Sequence, residues 1–111
     1  MYIIFKSNKL KKCCEDINLA TKEWGLEIAK KIIQRLNEIQ AAECLSDLTT
    51  VPPTRFHPLE GNREGQYAVD VKHPFRLIFC GVDGNDKKYN CSNKSKITRV
   101  KILEVKDYHG K

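Results

Sequence analysis

His57, Arg76, Tyr108 and His109 are residue types that carry protons or hold phosphates, and Asp107 stands directly before the last two. The chemistry they could perform together is phosphodiester scission, in which a neighbouring 2′-hydroxyl attacks phosphorus while charge gathers on the non-bridging oxygens. Such a reaction needs a proton acceptor, a proton donor and a fixed cation. His109, His57 and Arg76 supply those types without a metal or other cofactor, and Tyr108 sets a phenol beside His109. Taken singly they carry little weight: a strand Arg is more often a surface or salt-bridge residue, and a His near the chain end is usually solvent-facing. The chain has no P-loop, G-x-G-x-x-G, H-E-x-x-H or nucleophile elbow, so nucleotide hydrolysis, dehydrogenase, zinc-protease and α/β-hydrolase readings have no support.

The elements that must position these residues follow from hydrophobic spacing. Tyr2 to Phe5 suits a short strand, and Ser7 or Asn8 offers a helix N-cap. Leu10, Cys13, Cys14 and Ile17 recur at helical spacing and predict a short amphipathic helix. After a polar break, Leu26, Ala29, Ile33, Leu36 and Ile39, with Ile28 and Ile32 beside them, predict a second helix over about 21–43, flanked by Lys30, Lys31, Arg35 and Glu38. Pro52-Pro53 ends anything helical. From there the period becomes two: Tyr67, Val69 and Val71 alternate with Gln66, Ala68 and Asp70, and Phe75, Leu77 and Phe79 with Arg76, Ile78 and Cys80. These predict two antiparallel strands, with Arg76 on the face opposite to the phenylalanines. Asp83-Gly84-Asn85-Asp86 is turn chemistry. Residues 97–105 predict a last strand whose apolar residues fall on both parities, so either both its faces are covered or a bulge intervenes. The expected fold class is α+β: a short N-terminal strand and two N-terminal helices packed on a twisted antiparallel sheet. With 111 residues, a single domain over 1–111 is expected.

The formal charge is +6, placed unevenly. Residues 1–47 hold eight basic and seven acidic groups, whereas 48–111 hold twelve and seven. Lys87, Lys88, Lys94, Lys96, Arg99 and Lys101 share a stretch with no acid after Asp86, a local field that attracts phosphate. With Arg63 and Lys106 they form a candidate polyanion-contact set; the plainer reading is a solvated basic loop. The five cysteines are odd in number, none is spaced C-x-x-C, and the apolar opening is too short for a signal sequence or a membrane span, so core thiols in a reducing cytoplasm are expected.

Three stretches stand in order with suitable spacing: His57-Pro58-Leu59-Glu60-Gly61-Asn62-Arg63-Glu64-Gly65-Gln66-Tyr67, Phe75-Arg76-Leu77-Ile78-Phe79, and Val105-Lys106-Asp107-Tyr108-His109-Gly110-Lys111. Together with Asn8-Lys9-Leu10-Lys11-Lys12 and residues 41–48, the chain closely resembles the HigB-like branch of the RelE/ParE superfamily of bacterial toxins. The resemblance implies a RelE-like α+β toxin of the bacterial cytoplasm that cuts messenger RNA on the ribosome. It implies inactivation by a cognate helix-turn-helix antitoxin (HigA-like), through which alone operator DNA would be contacted, and no role at a membrane. It places the family's terminal D-Y-H on Asp107, Tyr108 and His109, its strand Arg on Arg76 and its H-P-L-K-G His on His57, with Glu60 where that motif has Lys. On this reading His109 exchanges protons, Arg76 stabilises the phosphate, Tyr108 orients or stacks, Asp107 positions its neighbours and His57 assists. A ParE-like gyrase inhibitor and a noncatalytic RNA-binding or antitoxin-binding module are the alternatives.

Overall fold

In the computed structural model, which describes residues 1–48, 55–63, 65–89 and 93–108, the β-branched opening forms strand β1 (Tyr2–Phe5). The Ser7 hydroxyl accepts from the Leu10 amide at 3.1 Å and starts helix α1 (Asn8–Glu15). Asp16 closes α1 and, by accepting from the Asn18 amide at 2.8 Å, caps the next helix, α2 (Ile17–Trp24). Gly25, at φ 87°, lies in a region that β-carbon-bearing residues avoid, and it breaks the helical run before α3 (Leu26–Ala41). A short helix α4 (Leu45–Leu48) follows. The described residues therefore hold two helices more than the periodicity indicates, α2 and the short α4. The expected polar break is α2, and the long helix begins at Leu26 rather than near residue 21, because Gly25 interrupts what spacing alone reads as continuous.

The buried face of α3 is Ala29, Ile32, Arg35, Leu36 and Ile39, while Leu26, assigned to the apolar stripe, is exposed. Arg35, expected on the flank, is only 5% exposed. Its guanidinium satisfies itself by donating to the Asp70 carbonyl at 2.6 Å and to Glu38 at 3.0 Å, which is what makes a charged residue tolerable there.

Strands β2 (His57–Pro58), β3 (Gln66–Lys72), β4 (Phe75–Gly81) and β5 (Arg99–Asp107) complete a five-stranded sheet in the order β1-β5-β4-β3-β2. All neighbours are antiparallel except β1 and β5, which run parallel, so the sheet is mixed rather than wholly antiparallel. Helices cover one face, where Val69, Val71, Leu77, Phe79, Val100 and Ile102 meet Ile32, Leu36 and Ile39 in the core. Each fully buried Leu, Ile or Phe contributes about 1.5–3 kcal/mol relative to exposure.

Two bulges reconcile the strand patterns. A regular β3–β4 hairpin would place Val69 and Leu77 in different registers, but a shift between Asp70 and Lys72 brings Val69 opposite Leu77 and Asp70 opposite Arg76. In β5 the register slips by one at Leu103: Ile102 pairs with Phe79 and Glu104 with Ile78. That bulge explains the mixed parity of the last strand, since Val100 and Ile102 before it and Val105 after it all reach the core side. The turn at residues 83–86 forms as expected, with the Asp83 carboxylate accepting from the Asn85 and Lys87 amides. Those contacts hold its carboxyl below the usual range, the Lys87 amide foremost. Cys14 and Cys80 are buried, as expected of core thiols, whereas Cys13 and Cys44 are partly exposed. The expectations for Pro52-Pro53 and Cys91 lie outside the described residues.

Candidate functional site

The sheet face away from the helices carries the polar set. Because pairing partners point to the same side, the register resolves this face into three rows. Asp70, Arg76 and Lys106 form the first; His57, Ala68, Ile78 and Glu104 the second; Gln66, Cys80, Lys101 and Ile4 the third. Ala68 and Ile78 are fully buried and Cys80 nearly so, giving a small apolar floor ringed by charge. Burial pushes the Cys80 thiol pKa up, against the opposing pull of Lys101 and Lys88. That thiol is thus a floor group and not a nucleophile.

Arg76 stands at the head of the face, opposite in parity to Phe75, Leu77 and Phe79 as the alternation predicts. Its Nε is 3.3 Å from Asp70 Oδ1, and its guanidinium carbon lies 4.6 Å from the centroid of the Tyr108 ring. Lys106 Nζ is 5.7 Å from the same centroid. Tyr108 is placed by its own backbone: the amide that follows β5 donates to the Pro74 carbonyl at 3.0 Å, which carries the β4–β5 register one rung beyond the Phe75–Asp107 pair. The structure therefore brings Arg76, Lys106 and Tyr108 together.

His57 shares the face but not the immediate neighbourhood. It sits two strands and one row from Arg76, roughly 12 Å between α-carbons by standard strand spacings. Its Nδ1 is 2.8 Å from the Arg55 carbonyl, which leaves Nε2 as the ring atom available to a ligand. Asp107 lies opposite Phe75, so its parity is that of the core side and it does not join the Arg76 row. His109 lies outside the described residues. Glu60 is exposed at the entry to the 3₁₀ turn of residues 61–63.

The basic residues divide. Arg63 donates to Gln66 at 3.0 Å and is ion-paired with Glu104, so a phosphate would have to displace a carboxylate to reach it. Arg99 pairs with Asp86 across a gap the charge count overlooked, at 2.5 Å, and stacks over Tyr2 with 4.3 Å to the ring centroid. Lys101 continues the open face along β5, whereas Lys87, Lys88 and Lys96 are exposed and Lys94 is half-buried beside the turn of residues 94–96. The bulge at Leu103 thus brings Arg99, Lys101 and Lys106 of β5 onto the same face. Among the described residues no group of three or more His, Cys, Asp or Glu side chains is arranged to hold a metal ion.

Two participants escaped sequence reasoning. Asp70 reaches Arg76 with one carboxylate oxygen and Arg55 Nε, at 3.2 Å, with the other; Glu104 holds Arg63. Parity alone placed Asp70 on the Arg76 face, but the pairing depends on the bulge, which no local pattern announces.

Comparisons with known proteins give the family and the fold. Over residues 4–91 the chain matches the family model described as RelE-like toxin of type II toxin-antitoxin system HigB; the Asp107-Tyr108 stretch lies beyond the matched part. Toxin HigB-1 of Vibrio cholerae serotype O1 is 40% identical over 57 residues, which are 51% of this chain; the chain spans 60% of that relative's length. Among solved structures, the YoeB/ParE toxin from Agrobacterium tumefaciens superposes with a TM-score of 0.57 at 9% identity, covering 98% of this chain and 100% of that one. The YoeB-YefM complex from Staphylococcus aureus gives a TM-score of 0.57 at 19% identity, covering 98% of each chain. At those identities the likeness speaks for the fold alone. With the family model spanning most of its length, on a sheet that carries Arg76 and His57 on its uncovered face, the chain belongs to the HigB family of RelE-like toxins of type II toxin-antitoxin systems.

Proposed function

We propose that this protein is a metal-independent endoribonuclease that cuts messenger RNA on the ribosome and so stops translation in a bacterial cytoplasm. The observation that carries the reading is Arg76, held on the open face between a carboxylate and the Tyr108 ring with Lys106 alongside. A pentavalent phosphorane gathers charge on its non-bridging oxygens, and a preorganised guanidinium needs no rearrangement to meet it. The 2′-hydroxyl gives up its proton, its oxygen bonds to phosphorus, and the 5′-oxygen leaves with a proton, yielding a 2′,3′-cyclic phosphate and a 5′-hydroxyl end. His109 serves in the proton transfers, His57 assists from the same face, Tyr108 stacks on a base or orients it, and Asp107 positions the tail. Arg63, Arg99, Lys101 and Lys106, with Lys87, Lys88, Lys94 and Lys96, hold the RNA backbone and the ribosome.

The family also implies a partner. We read the cognate inhibitor as a small helix-turn-helix protein (HigA-like) whose complex with the toxin, rather than the toxin alone, contacts operator DNA. Among the described residues no helix is long and apolar enough to cross a membrane.

Expression in a bacterium followed by mapping of messenger ends tests the activity. New 5′-hydroxyl ends at ribosome-occupied positions, slowed but still measurable in Arg76→Ala and lost in His109→Gln, are the expected result. Growth arrest without new ends would sink the nuclease reading and turn attention to gyrase, and neither effect would leave a binding module. Copurification with the product of a neighbouring gene tests the partner.

A further inference from the structure

We infer that Asp70 is the positioning residue of the Arg76 guanidinium, an inference that rests on the nuclease reading above. Three contacts converge on this residue from three different elements. Its carbonyl accepts from the buried Arg35 of α3 at 2.6 Å, its Oδ2 lies 3.2 Å from Arg55 Nε before β2, and its Oδ1 lies 3.3 Å from Arg76 Nε on β4. Arg35 takes the carbonyl at the point where β3 slips register, so it pins the bulge that sets Asp70 opposite Arg76.

The carboxylate is well sunk into the sheet. Its side chain is 26% exposed against 36% for Arg76, and Oδ1 itself is shielded from solvent. A shielded carboxylate oxygen is costly without a cation beside it, so Arg76 and Asp70 hold each other. Nε faces that oxygen as an ion pair rather than a hydrogen bond, since Asp70 Oδ1 has no hydrogen-bond partner among the described residues, and the terminal N–H donors of the guanidinium lie away from this contact, toward a phosphate. The Tyr108 ring closes the remaining flank. Arg76 is thereby fixed on two sides before substrate arrives.

The same carboxylate repels phosphate. Its two effects oppose each other: it raises turnover by fixing Arg76 and weakens RNA binding by its charge. A merely structural residue has no reason to show that split.

The test compares Asp70→Asn, Asp70→Glu and wild type on ribosomes carrying a defined message. Asp70→Asn should lower kcat about tenfold, the loss of one close ion pair in a partly shielded site, while KM for the programmed ribosome falls rather than rises. Asp70→Glu restores the charge but not the reach, so KM should return while kcat stays low. In an Arg76→Ala background, Asp70→Asn should cost kcat nothing further. An unchanged kcat in Asp70→Asn, or a loss fully additive with Arg76→Ala, overturns the inference.

A second readout keeps the two readings apart. In the wild-type free protein, NMR relaxation should show the Arg76 Nε–H vector more ordered than that of an exposed arginine, because the ion pair and the Tyr108 ring hold the guanidinium from two sides. Wild type that cuts no message would sink the nuclease reading alone, and Asp70 would then be judged by this order. A vector as mobile as that of an exposed arginine overturns the positioning role even where folding of the variants fails.

Discussion

The Arg76 guanidinium lies over the Tyr108 ring, its central carbon 4.6 Å from the ring centroid, and the Tyr108 amide is tied to the Pro74 carbonyl. The ring face, and not the hydroxyl, is what touches the cation. Tyr108→Phe should therefore keep about half or more of the wild-type cleavage rate, whereas Tyr108→Ala should lose about three- to thirtyfold, the range of one cation–π contact. Single-turnover cleavage on programmed ribosomes measures both. A Phe variant as damaged as the Ala variant would assign the role to the hydroxyl.

Docking and chemistry should separate along β5 and the segment before it. Replacing Lys87, Lys88, Lys94 and Lys96 with Gln should weaken ribosome binding and reduce its salt slope by about one unit or more, with cleavage positions unchanged at saturating ribosomes. His109→Gln should spare binding and abolish cuts. Filter binding across a salt series gives the slope, and an unchanged affinity would return these lysines to the status of a solvated loop.

Alkaline pH should act through Cys14. Burial, reinforced by neighbouring Cys13 and Glu15, pushes this thiol from 9.0 up to about 12. The unfolded chain thus loses the proton first, so the neutral thiol's contribution to stability is complete below pH 9.0 and is lost as pH rises toward about 12. Denaturant melts from pH 8 to 11 should show a steeper decline for wild type than for Cys14→Ala. Parallel curves would place the alkaline sensitivity elsewhere.

Gly81 ends β4 against Ile97, where an added β-carbon would come within 2.8 Å of the Ile97 γ2 methyl. Ile97 is fully buried and β-branched, so it has no room to swing aside. Gly81→Ala should destabilise by about 1–3 kcal/mol, and Gly81→Ala with Ile97→Leu, which lacks the γ2 methyl, should recover part of that. Urea melts of the single and double variants measure the coupling.

Much of the helix and strand content was legible in local spacing. Ser7 capping α1, the alternation through β3 and β4, the turn at Asp83 and the outward parity of Arg76 are all short-range facts, and short-range facts are what sequence periodicity encodes. The chain also determined by itself the residue types of the candidate site, since the order from His57 through Arg76 to Asp107-Tyr108-His109 is a matter of sequence. Tertiary structure decided which of them meet. The split of the long helical run at Gly25, the parallel pairing of β1 with β5, the bulges at Asp70 and Leu103, and the burial of Arg35 each depend on partners far along the chain. A bulge moves every later side chain to the other face, yet it is fixed by the need to bury two strands' apolar sets together, which neither strand states alone. For that reason Asp70 came to face Arg76, and Asp107, one residue from Tyr108 in sequence, came to lie on the opposite side of the sheet from the Arg76 row.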